Sequence, residues 1–91
     1  MEVKYTPQYL AKLEELFAES DYQLRYEKGQ FKSGYCVLKE HKVAVVNKYY
    51  TLEGKINCLI EIIRTVSFDT HRMTEKSHKL LTALTQTKLS L

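Results

Sequence analysis

Ninety-one residues with a net charge of +3, 44% hydrophobic and 27% charged, predict one globular domain: a chain of this length buries roughly 60 to 65% of its unfolded surface, and two cores are out of reach. The apolar share excludes a disordered chain, and apolar runs of four residues or fewer exclude a membrane-spanning helix, which needs about 20. The opening MEVKYTPQYL lacks the basic-then-apolar order of a secretory signal, so a cytoplasmic location is expected.

Thr6 followed by Pro7 is a helix-start signal, because the threonine oxygen accepts an orphan N–H and proline fills a position that needs no donor. The spacing predicts a helix from about 7 to 20 that buries Leu10, Leu13 and Phe17, flanked by Tyr9 and Leu16, and exposes Lys12, Glu14, Glu15 and Glu19. In DYQLRYEKGQF the period becomes two: Tyr22, Leu24 and Tyr26 face one way, Gln23, Arg25 and Glu27 the other, which predicts a strand over 21 to 27. Gly29 serves a turn, and FKSGYCVLK reads as a second strand with Phe31, Tyr35 and Val37 on one face. Gly34 inside it implies a bulge or a close contact. EHK makes a tight reversal before a third strand, VAVVNK, and the three strands are expected to form an antiparallel meander.

Thr51 caps the next helix. A turn of 100° per residue places Leu52, Ile56, Leu59, Ile60, Ile63 and Val66 within about 120°, with Ile62 just outside, so this is the expected centre of the fold. Asn57, Glu61 and Thr65 form a polar row on the other side, beside Arg64. Asp69 reads as the cap of a third helix, with Phe68 and Met73 as a hydrophobic staple. That helix is expected to reach about residue 87 on a narrow stripe of Met73, Leu80, Leu81 and Leu84, its last residues TKLSL fraying or leaning on a partner. The fold class is therefore α+β, a three-stranded antiparallel meander packed against helices in the order α-β-β-β-α-α, as one domain over residues 1 to 91.

From about residue 7 to 66, the order helix, three strands, helix resembles the core of the ImmA/IrrE type of minimal zinc metallopeptidase, in which a strand leads into a helix bearing HExxH. In that frame KINCLIEIIR aligns an apolar residue at Ile56 and the glutamate at Glu61, while the two metal-ligand positions fall on Ile60 and Arg64. Neither binds zinc. The resemblance therefore implies an inactive remnant in which Glu61 has no metal-bound water to activate. Read from the residues alone, Glu61 is a solvated acid three residues from Arg64.

His71, Glu75 and His78, at positions i, i+4 and i+7, fall within about 60° of one another on a helix. Two histidines and a carboxylate are a common catalytic-zinc set, but these three lie opposite Met73, Leu80 and Leu84 among Arg72, Lys76 and Lys79, so a solvated face is expected and no cofactor is assigned. Cys36 and Cys58, 22 positions apart, form no CxxC and are expected as reduced thiols. The serines stand outside GxSxG, and the three glycines make no phosphate-binding loop, so no catalytic residues are assigned.

Charge is uneven. Residues 22 to 55 carry seven basic and three acidic side chains against two and five in residues 1 to 21. Arg25, Lys28, Lys32, Lys39, Lys42 and Lys48 run among Tyr22, Tyr26, Tyr35, Tyr49 and Tyr50, the composition of a sheet that holds single-stranded nucleic acid. Alternation sets Tyr22 and Tyr26 opposite Arg25, which favours core tyrosines, and strand lysines also protect edges. The expectation is a small non-catalytic protein that acts through a protein partner or itself as a homodimer. A nucleic-acid-binding module on Arg25, Lys32, Lys39, Lys42 and Lys48 is the alternative.

Overall fold

The structure, a computed structural model, describes residues 3–29, 31 and 34–86. Its elements follow the predicted α+β order: α1 (Pro7–Ala18), β1 (Gln23–Glu27), β2 (Tyr35–Leu38), β3 (Val43–Asn47), α2 (Leu52–Thr65) and α3 (Glu75–Gln86). Helix α1 starts as its sequence requires, with the Tyr9 N–H donating to Thr6 Oγ1 at 3.1 Å. It buries Tyr9, Leu13, Leu16 and Phe17. Thr51 caps α2 in the same way, accepting the Gly54 N–H at 3.1 Å.

The sheet is mixed, and the expected antiparallel meander does not form. Strand order is β1-β3-β2: β2 pairs antiparallel with β3, while β1 pairs parallel with β3, Leu24 beside Ala44 and Tyr26 beside Val46. Two lengths of chain account for this. Between β2 and β3 stand only residues 39–42, closed by the His41 N–H on the Leu38 carbonyl at 3.1 Å, with Lys42 at φ 55°. So short a turn makes its strands neighbours. Between β1 and β2 stand residues 28–34, enough to span two strand spacings of about 9 to 10 Å and leave a slot between them. The most apolar strand, VAVVN, takes that slot, where a strand flanks it on each edge and Ala44, Val45 and Val46 are all buried. Its unbroken apolar run was the available signal.

The second strand begins four residues later than the pattern predicts, with Phe31 in the loop before it. Gly34 precedes it at φ +84°, and the Tyr50 ring occupies the space that a Cβ there would need. This is the close contact that a glycine in FKSGYC implies.

Helices α1, α2 and α3 pack against one another and, through α1 and α2, against one side of the sheet. Ile56, Cys58, Leu59, Ile62 and Ile63 of α2 are buried, whereas Ile60 is only partly so. The buried arc is thus turned toward Cys58 and Ile62, because α2 meets β3 on one flank and both other helices on the next.

Helix α3 does not begin at Asp69. That residue's N–H donates to Asp21 Oδ1 and its own Oδ1 accepts from the His71 N–H, both at 2.9 Å. Phe68 is taken up by the core instead of a staple with Met73: its ring meets Phe17 and Tyr22 edge-on, with centroids 5.2 and 5.5 Å apart. The helix starts one residue after Thr74, whose Oγ1 accepts the Ser77 N–H at 3.3 Å. The expectation for TKLSL lies outside the described residues. Among those described, no helix is long and apolar enough to cross a membrane.

Candidate interaction surface

Pairing register sorts the strand residues into two faces. Leu24, Tyr26, Tyr35, Val37, Ala44 and Val46 share the face under the helices, where Ala44 and Val46 are fully buried. Gln23, Arg25 and Glu27 from β1, Val43, Val45 and Asn47 from β3, and Cys36 and Leu38 from β2 share the other. Of this second set Val45 alone is buried, at 8% exposure and apart from the main core cluster, and no described helix packs on the set. A sheet with one solvated face ordinarily alternates apolar-in and polar-out. Here the outer face carries Val43, Val45, Cys36 and Leu38 at its centre and along β2, with Leu38 46% exposed.

The two edges differ. Strand β1 presents the Arg25–Glu27 ion pair, a charged edge of the kind that discourages further strand pairing. Strand β2, Tyr-Cys-Val-Leu, carries no charge. Beside it Tyr49 and Tyr50 are 68% and 37% exposed.

Among the described residues, the basic side chains do not gather into one groove. Arg25 lies on the outer face beside Glu27, and Lys39 is exposed in the β2–β3 turn. Lys42 leaves that turn to pair with Asp21 at 2.8 Å and stands 5.9 Å from the centroid of the Tyr22 ring. The bond and the charge of Asp21 hold its ammonium above the usual lysine range. Lys48 lies 5.4 Å over the exposed Tyr49 ring. Lys32 is outside the described residues.

His71 sits in a turn four residues before α3, while Glu75 and His78 belong to its first turn, so the three do not share one helical face. Glu75 lies instead 3.8 Å from Lys79, and among the described residues no three His, Cys, Asp or Glu side chains stand close enough to hold a metal ion. Glu61 is exposed on α2, as expected, and Arg64 reaches across to α3, donating from Nε to the Leu84 carbonyl at 3.0 Å. The near neighbours of Glu61 are Tyr35 and Cys58. Burial first, and then this carboxylate, pushes both the Tyr35 hydroxyl and the Cys58 thiol up, which keeps the thiol protonated and a poor nucleophile. Both cysteines are free, Cys58 buried and Cys36 half-buried.

A polar clasp that sequence patterning missed holds the α2–α3 loop to the α1–β1 corner. Glu19 Oε1 accepts from the Thr74 N–H at 2.9 Å and from its hydroxyl at 3.2 Å, so an acid from α1's end serves the N-terminus of α3. Arg72 donates to the Ser20 carbonyl at 3.2 Å, and Asp21 holds both Lys42 and the Asp69 N–H. The Thr74 N–H draws the Glu19 carboxyl below its usual range; Lys42 and then the Asp69 N–H do the same for Asp21. Only the repeated acids at 19, 21 and 69 hinted at it. A small cavity of about 160 Å³ between α1 and α3 is lined by Tyr9, Lys12, Glu15, Lys76, Ser77 and Leu80. The hydroxyl of Tyr9, one of these lining residues, is buried without a hydrogen-bond partner among the described residues.

No family model matches this chain, and no curated protein or solved structure does either.

Proposed function

We propose that this chain is a non-catalytic protein-interaction domain that works through the uncharged β2 margin of its sheet, with a second copy of itself as the first partner. The observation that carries the reading is the apolar β2 margin of the outer face, where exposed Leu38 and half-buried Cys36 and Val43 have no described helix above them. Further support comes from the chemistry of the candidate groups: the Cys58 thiol is buried and protonated, and His71 stands apart from the helix carrying Glu75 and His78. A cytoplasmic setting, in which thiols stay reduced, belongs to the same reading. Light scattering and sedimentation over a concentration series reaching the millimolar range test it. Association that rises with concentration is expected, and a strict monomer throughout removes the self-association.

A second reading is nucleic-acid binding. Lys48 over the exposed ring of Tyr49, with Tyr50 next to it, resembles a stacking platform with a cation beside it. A labelled single-stranded oligonucleotide titrated at low and then rising salt tests it, and no binding at the lowest salt ends it.

A further inference from the structure

The free edge of β2 narrows the partner surface to a specific register. Because the Asn47 N–H donates to the Gly34 carbonyl at 2.9 Å and β2 pairs antiparallel with β3, Cys36 and Leu38 are the strand residues whose backbone groups face β3, with Gly34 adding its carbonyl. The N–H and C=O groups of Tyr35 and Val37 therefore point away from the sheet, with no partner among the described residues.

We infer that two copies of the chain join by antiparallel pairing of β2 with β2 about a twofold axis at Cys36, making one six-stranded sheet. This rests on the self-association reading above. In that register Tyr35 lies opposite Val37 of the second copy and Val37 opposite its Tyr35, so all the outward backbone groups of β2 bond, two bonds at each of two pairs. The side-chain pairs are aromatic with β-branched, a favourable cross-strand combination. Leu38 falls opposite Gly34 of the second copy, where the missing Cβ leaves the Tyr50 ring as the surface it meets. Leu38 and Tyr50 are both exposed in the single chain, so the twofold covers a knob and its seat at both ends at once. No charge lies within β2.

Size sets the strength. A tenth of the 5981 Å² surface, about 600 Å² per copy, is the scale of a small specific interface. A four-residue edge with its two flanking contacts falls below that, which places the dimer in the weak, micromolar-or-above class.

The test exploits the axis, because Cys36 faces its own copy and is only half-buried in the single chain. Sedimentation velocity is run on the unaltered chain, on Cys36→Lys, on Cys36→Glu and on an equal mixture of the two variants, with circular dichroism to confirm that each is folded. The unaltered chain is expected to dimerise, each variant alone to associate roughly tenfold or more weakly through like charges at the axis, and the mixture to regain dimer through opposite ones. A dimer that neither substitution weakens overturns the β2 register while leaving self-association standing through another surface. A strict monomer overturns both.

Discussion

Truncating Leu84 to alanine tests the docking of α3, the helix whose apolar stripe is thinnest. Ser77 and Leu84 are its buried residues, Leu84 at 0% exposure, while Leu80 and Leu81 are partly buried. Removing a fully enclosed leucine forfeits its transfer free energy and leaves a cavity, about 2 to 5 kcal/mol together. The bond from the Arg64 side chain to the Leu84 carbonyl uses a backbone oxygen and survives the change, so the loss reports chiefly on packing. For 91 residues, an ordinary total stability is about 5 to 14 kcal/mol. A 3 kcal/mol loss lowers the urea midpoint by about 1 to 3 M and Tm by about 12 to 24 °C. Urea unfolding followed by circular dichroism measures this, with Leu81→Ala as a half-buried control expected to cost less. Native-state hydrogen exchange adds the local view, with α3 amides expected to lose more protection than those of α2. A loss below about 1 kcal/mol at an unchanged urea slope would refute the docking of α3 through Leu84.

Acidification tests the polar clasp. The Glu19 and Asp21 carboxyls are both held below their usual range in the folded chain, so they stabilise it above the unfolded carboxylate pKa of about 4, and that contribution is lost as pH falls through their lowered values. Urea midpoints are expected to be level from about pH 7 to 5 and to drop below about pH 4; an unchanged acid limb in Glu19→Gln with Asp21→Asn contradicts the clasp. Gly34→Ala forces a side chain into positive φ and against the Tyr50 ring, at a cost of about 1 to 2 kcal/mol or more in urea unfolding, and a neutral result would remove the contact. Tyr26→Phe deletes the phenol that donates to Glu14 and ties β1 to α1, with an expected loss of about 1 to 2 kcal/mol by the same measurement. No loss there would mean that the bond is not formed in solution.

Local chemistry was legible wherever neighbours in sequence are also neighbours in space. Thr6 and Thr51 cap their helices as the text of the chain predicts, since a cap is decided within three residues. Gly34 announced a close contact, although not that Tyr50, sixteen positions on, would make it. The third helix start was misplaced because Asp69 and Phe68 match the local rule for a cap and staple, yet both found better partners at Asp21, Phe17 and Tyr22. The outer face of the sheet was half legible: VAVV advertises apolar residues on both sides of a strand, but which side the helices cover is not written in it.

By itself, then, the sequence determined the kinds and order of the elements, the caps of the first two helices and most of the buried residues, because periodicity and capping act over one or two turns of chain. Only the tertiary structure decided that β3 lies between β1 and β2, that an acid from α1 serves α3, and that β2 is left as an uncharged edge. Strand order depends on how far a connection reaches and which strand gains most from being enclosed, and both are properties of the assembled chain rather than of any stretch within it.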